Sequence, residues 1–268
     1  MQMGKSELEN LLKKESVSQL IRRFTKNPEE WSTIFDHLQL EKEWLYSHID
    51  LIFKLLRAVI DTEGFLKNQE MFLDFLLEKD LLPSLLHEAA EEGHLRALEL
   101  IVEKGVHVDT VDDEGTTALH FAAIAGNLEA VEKLVALGAD VNKGDGEGIS
   151  PFRWAVEEGK LSVLEGLVDL GADVNSRDYF GASPLHWAIE EVKSSAIKKL
   201  IDLDADINSE DDEKRTPVFY ASKRGLMEVL ENLHALGADI NSQDAYGTSP
   251  LLCALSMGSL EMVNKLLD

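Results

Sequence analysis

Cysteine is almost missing from this chain: Cys253 stands alone among 268 residues, so no disulfide can form within it and no Cys-x-x-Cys pair exists. Long apolar runs are missing too. No stretch approaches the ~18 residues of a membrane span, and Met1 to Lys14 is polar and charged, unlike a secretory leader. These absences fit a reducing, cytoplasmic home. Basic residues are scarce, 26 against 50 acidic, for a net charge of −24. The imbalance lies after residue 81, where 15 basic face 35 acidic residues, against 11 and 15 before it. A field of that sign repels phosphate backbones and anionic lipid, so nucleic acid and membranes are not expected partners. Basic proteins are attracted over a Debye length of ~8 Å. Solubility alone is the competing explanation of the charge.

Catalytic frames are also lacking. There is no Gly-x-Ser-x-Gly elbow and no phosphate loop ending in Gly-Lys-Ser/Thr. Asp140 to Gly146 has the look of a calcium loop, but Pro151 stands where the bidentate glutamate is needed. Ser195-Ala-Ile-Lys198 has nucleophile spacing but is solitary, on a polar helix face. His87, His120 and His186 fall at one position of successive units, too far apart to share a metal. No enzyme activity, cofactor or metal is expected.

What the chain has is repetition. Glycine returns every 33 residues at Gly115, Gly148, Gly181 and Gly247, with Lys214 in the remaining slot. Units start Gly-Thr-Thr-Ala-Leu-His at Gly115, Gly-Ile-Ser-Pro-Phe-Arg at Gly148, Gly-Ala-Ser-Pro-Leu-His at Gly181, Lys-Arg-Thr-Pro-Val-Phe at Lys214 and Gly-Thr-Ser-Pro-Leu-Leu at Gly247. A less regular unit surrounds Ser84 to His87. The complete units close on Leu-Gly-Ala-Asp-Val/Ile-Asn, or Leu-Asp-Ala-Asp-Ile-Asn at Leu203. Thr/Ser-Pro is an N-cap followed by proline at the first helical position. The helix so begun stops at Gly93, Gly126, Gly159, Gly225 or Gly258. A second helix follows with apolar stripes at Leu128, Val131, Leu134, Val135 and at Leu161, Leu164, Leu167, Val168. Neither helix can bury its face alone, so each unit depends on stacking.

Period and motifs together resemble the ankyrin repeat family over about residues 82 to 268. The resemblance implies an all-α fold, an α-solenoid of helix-turn-helix repeats starting near 82, 115, 148, 181, 214 and 247, the last incomplete. Either that unit is a truncated cap or the parent chain continues. The resemblance also makes the motif histidine a structural hydrogen-bonding residue. Residues 1–81 lack the period but carry helix signals at Ser6-Glu-Leu-Glu9, Asn27-Pro28, Glu41 to Ile60 and Asn68 to Leu77. They are expected to form a helical N-terminal capping region, with a private partner-binding domain as the alternative.

The fourth unit departs from the pattern at Val192, Ser194, Asp204 and Lys214. A β-branched residue tolerates positive φ poorly, so the turn at Val192 is expected to take another shape, and Ser194 to stand where a leucine is buried. Drift or a weak joint would each account for this.

Ankyrin-like scaffolds bind through finger tips and the concave side of the first helices. The variable pairs there read Glu91-Glu92, Ile124-Ala125, Glu157-Glu158, Glu190-Glu191, Lys223-Arg224 and Ser256-Met257. One turn back stand Phe121, Trp154, Trp187 and Tyr220, and Tyr179, Phe180 and Tyr246 lie at finger tips. Rings beside carboxylates suit an Arg/Lys-bearing partner through cation–π contacts and charge-assisted bonds. The alternative is that the rings only pack between helices. The expected function is a non-enzymatic module, a monomer or part of a hetero-complex, binding a basic protein or peptide. An acidic inhibitor or immunity protein against a basic toxin or nuclease, and the binding region of a larger effector or enzyme, are the rivals.

Overall fold

The structure is a computed structural model that describes residues 49–61, 73–74, 76–77 and 80–267. The helices expected at Ser6 and Asn27 lie outside the described residues. Among the described residues there are thirteen helices and no strand beyond an isolated bridge between Val111 and Thr117. They fall into two compact units, one within Met1–Asp113 and Thr117–Ala139, the other within Glu114–Thr116 and Asp140–Asp268.

The first unit contains α1 (Ile49–Asp61), α2 (Leu82–Glu91), α3 (Leu95–Glu103), α4 (Ala118–Ala125) and α5 (Leu128–Ala136). Helix α1 packs on α2 and α3, burying Ile52, Phe53 and Leu56, with the Phe53 ring edge-on to His94 at 6.2 Å. The second unit holds four helix pairs: α6 (Pro151–Glu157) and α7 (Leu161–Asp169), α8 (Pro184–Glu190) and α9 (Ser194–Asp202), α10 (Pro217–Arg224) and α11 (Met227–Ala235), α12 (Pro250–Ser256) and α13 (Leu260–Leu267). First helices stack in sequence, α6 on α8, α8 on α10 and α10 on α12.

Each first helix begins as its sequence requires. The hydroxyls of Ser150, Thr216 and Ser249 accept the amide of the third helical residue, and proline occupies the first turn. Thr117 and Ser183 form capping boxes in which a histidine replaces the usual glutamate. The second helices bury the two middle residues of each expected stripe, with the third helical residue added and the first and last stripe residues left partly open. Ala130, Val131 and Leu134 are buried in α5, and Val163, Leu164 and Leu167 in α7, whereas Leu128, Val135 and Val168 are half-buried and Leu161 is exposed.

The open first position of the stripe corrects the expectation for Ser194. The equivalent Leu161 is itself exposed, so no buried leucine is lost there. The expectation of a differently shaped turn at Val192 is also wrong. Val192 keeps the left-handed conformation at φ 55°, as do Asp204 at 60° and Lys214 at 59°. Flanking hydrogen bonds impose it. Val192 N–H donates to Ile189 O and Lys193 N–H to Ala188 O, as Gly159 and Lys160 donate to Val156 and Ala155 one repeat earlier. Neighbour-set helix ends thus outweigh a local conformational preference of about 1–2 kcal/mol.

Candidate functional site

Between helix pairs the chain forms fingers, and in the second unit consecutive fingers are joined by backbone bonds. Gly146 N–H donates to Glu114 O, Tyr179 N–H to Glu147 O, Asp212 N–H to Phe180 O and Ala245 N–H to Glu213 O, at 2.7–3.1 Å. Gly146 is required at the first junction, because a Cβ there would lie 2.5 Å from the Glu114 carbonyl oxygen.

An aspartate anchors each finger to the helix that follows. Oδ1 of Asp145 accepts the amides of Glu147 and Ile149, that of Asp178 those of Phe180 and Ala182, and that of Asp211 those of Glu213 and Arg215. The other oxygen receives the ring donor nine residues on. Trp154 Nε1 donates to Asp145 at 2.9 Å, Trp187 Nε1 to Asp178 at 2.6 Å and the Tyr220 hydroxyl to Asp211 at 2.8 Å. Sequence reasoning singled out the rings but missed these partners. The signal was present, since aspartate recurs at 112, 145, 178, 211 and 244. In the last unit Cys253 takes the ring's place, and burial, then the Asp244 carboxylate, push its thiol pKa up.

The predicted residues differ in exposure. Trp154 and Trp187 are half-buried, whereas Tyr220 is only 8% exposed. Phe121 belongs to the first unit, where it is half-buried and stacks on His87 at 5.1 Å. Tyr179, Phe180 and Tyr246 are 62–78% exposed at the fingers, with the Tyr179 ring seated over Gly148. Glu158 and Glu191 are exposed at the ends of α6 and α8.

Several groups in this row already hold cations of the same chain. Arg153 Nη1 donates to Glu157 at 2.9 Å, with its guanidinium carbon 4.3 Å from the Trp187 ring centre and 5.9 Å from that of Trp154. Glu190 is paired with Lys223 at 3.1 Å and Arg224 at 3.9 Å. The Tyr220 ring lies near Arg215 at 5.3 Å and Lys223 at 5.5 Å. Burial works against the Asp211 carboxylate, but the Arg215 amide and guanidinium and the Tyr220 hydroxyl outweigh it and hold its pKa below the ordinary range. Burial, then the bond to Asp211, raises the Tyr220 pKa well above its usual value.

The motif histidines link helix to finger. His186 Nδ1 accepts the Ser183 amide at 3.1 Å, so the ring proton sits on Nε2, which donates to Arg215 O at 3.0 Å. Burial, partly opposed by that backbone bond, lowers the His186 pKa, and the same balance with Thr110 lowers that of His87. Away from the fingers, a cleft of about 600 Å³ opens between α9 and α11, lined by Ile197, Ile201, Val229 and Leu236. Among the described residues no His/Cys/Asp/Glu cluster is arranged to hold a metal ion, and no helix is long and apolar enough to cross a membrane.

The chain matches the family description "Ankyrin repeats (3 copies)" in overlapping windows at residues 66–145, 86–178, 137–211 and 185–268. It is similar to the ankyrin repeat domain of human ASB11, at 27% identity and TM-score 0.57, over 68% of this chain and 82% of that one. It is also similar to a chain in the complex of Bd0816, a predatory endopeptidase from Bdellovibrio bacteriovorus, with the immunity protein Bd3460. There the identity is 25% and the TM-score 0.58, over 68% of this chain and 96% of that one. No curated protein matches by sequence. Period, capped helix pairs, interlocked fingers and the family match converge, and the chain belongs to the ankyrin repeat family.

Proposed function

We propose that this chain is a non-enzymatic protein-binding module that takes a basic protein or peptide along the first helices and fingers of its second unit. The observation that carries this is the row formed by Trp154, Glu157, Glu158, Trp187, Glu190 and Glu191, in which rings and carboxylates already hold guanidinium and ammonium groups. A surface that binds its own cations has the chemistry to bind a partner's. Tyr179, Phe180 and Tyr246 supply exposed rings beside it, whereas buried Tyr220 acts through the finger it holds. Trp and Tyr are the favoured interface anchors. Residues 1–81 serve as a helical cap on the repeats from 82 onward, in a cytoplasmic protein.

The test is titration of the purified chain with an arginine-rich peptide. Reversing Glu158 and Glu191 to lysine should slow association and flatten its salt dependence with the fold unchanged. Equal association rates for variant and parent would remove the reading.

A second reading is favoured by the likeness to the endopeptidase complex: the chain neutralises a basic toxin or enzyme as an immunity protein. Co-expression with the product of an adjacent gene tests it, protection of the host being the expected result.

A further inference from the structure

Arg153 occupies a slot that holds histidine in three other units, His87, His120 and His186. A histidine there donates across to a finger carbonyl, as His186 does to Arg215 O. Arginine, longer and forked, runs along its own helix instead. It reaches Glu157 one turn on and lays its guanidinium against Trp187. The side chain is 7% exposed, and its Nε is buried without a hydrogen-bond partner. An ion in that position is incompletely compensated, since one donor has lost water and gained no acceptor. Ring face and carboxylate are therefore occupied by the chain's own guanidinium. Glu158 and Glu191, exposed, carry no ion pair among the described residues.

We propose that Arg153 is the specificity-determining residue of this surface: its guanidinium fills the cation site between Trp187 and Glu157, confining a partner's cations to Glu158 and Glu191. The proposal rests on the reading of this surface as the partner-binding face. While Arg153 stays in place, the exposed carboxylates attract lysine and arginine alike. Were the site vacated, arginine would be preferred, because its planar fork stacks on a ring and pairs with a carboxylate at once.

The experiment uses the full chain, with octa-arginine and octa-lysine as probes, at a pH above 8 where histidine is neutral. Arg153→His restores the residue of the other units, and Arg153→Met, which keeps the bulk without the charge, guards against a folding defect in the first. Both variants should bind octa-arginine about tenfold tighter than the parent, with altered tryptophan emission, and octa-lysine little changed. Unchanged octa-arginine affinity in both variants overturns the assignment. If Glu158→Lys with Glu191→Lys still weakens binding in that case, the partner surface stands and only the role of Arg153 falls. If the double reversal leaves binding unchanged in every background, the surface is misplaced and both ideas fall.

Discussion

Three non-glycine residues held in the left-handed region, Val192, Asp204 and Lys214, give the fourth repeat its peculiarity at the residue scale. Aspartate tolerates that conformation better than most residues, and lysine carries the ordinary Cβ cost. A β-branched valine is the severe case. Val192→Gly should therefore stabilise the protein by about 1–2 kcal/mol, read from denaturant unfolding or from slower amide exchange in residues 189–203. No gain would mean that the turn relaxes in solution. At Asp211 the expectation runs the other way. Its folded pKa is depressed, so the stability it contributes is present above its unfolded value and lost as pH falls through the folded one. Asp211→Asn should abolish that acid sensitivity and lower the Tyr220 pKa, visible as tyrosinate absorbance at a less alkaline pH. An unmoved tyrosine titration would show that the 2.8 Å bond between them is not made in solution.

At the scale of elements, helix starts and fingers form one hydrogen-bonded system. Protonating His186 would place a proton on Nδ1, which now accepts the Ser183 amide, and undo the capping box. Its folded pKa is lowered, so this contribution is full above the unfolded value of about 6.5 and declines as pH falls below it. Exchange of the first-turn amides of α8 should accelerate between about pH 6.5 and 5 while α10, with Phe219 in the histidine slot, changes less. Uniform acceleration would point to global loosening instead. Among the second helices, Lys133 joins Glu99 and Lys265 joins Glu231, and Lys199 is paired with Glu165. The α9–α11 junction instead faces Lys198 with Asn232 across the cleft. A weak joint at the fourth repeat would show as faster amide exchange in residues 194–202 than in 161–169, and equal protection would leave drift as the explanation. No missing leucine is involved.

At the scale of the whole molecule, the dominant quantity is a net charge of −24 on 268 residues. Self-repulsion of that size weakens the compact state and is screened by salt. Raising ionic strength from about 0.01 to 0.15 M should increase the melting temperature, since the Debye length contracts from about 30 to 8 Å. A flat or falling melting temperature would show that the internal Lys–Glu and Arg–Glu pairs already balance the excess acid. The same screening should slow capture of a cationic peptide, so stability and association rate should move in opposite directions with salt.

The 33-residue period, the Thr/Ser-Pro helix starts, the turn glycines and the helix pairs were legible in the residues alone, because capping and left-handed turns are local chemistry. So were the rings and acids of the candidate surface, which the period aligns. Contact between repeats was not legible. The recurring aspartates at 145, 178 and 211 carried the signal for the ring partners, but nothing in the composition lays Arg153 on Trp187 or buries Tyr220 while Trp187 stays half-exposed. Those outcomes depend on how far one repeat stands from the next, a distance set by many packed side chains together. Val192 shows the same division: its residue type argues against the turn it adopts, and hydrogen bonds closed by neighbouring helix ends decide the conformation.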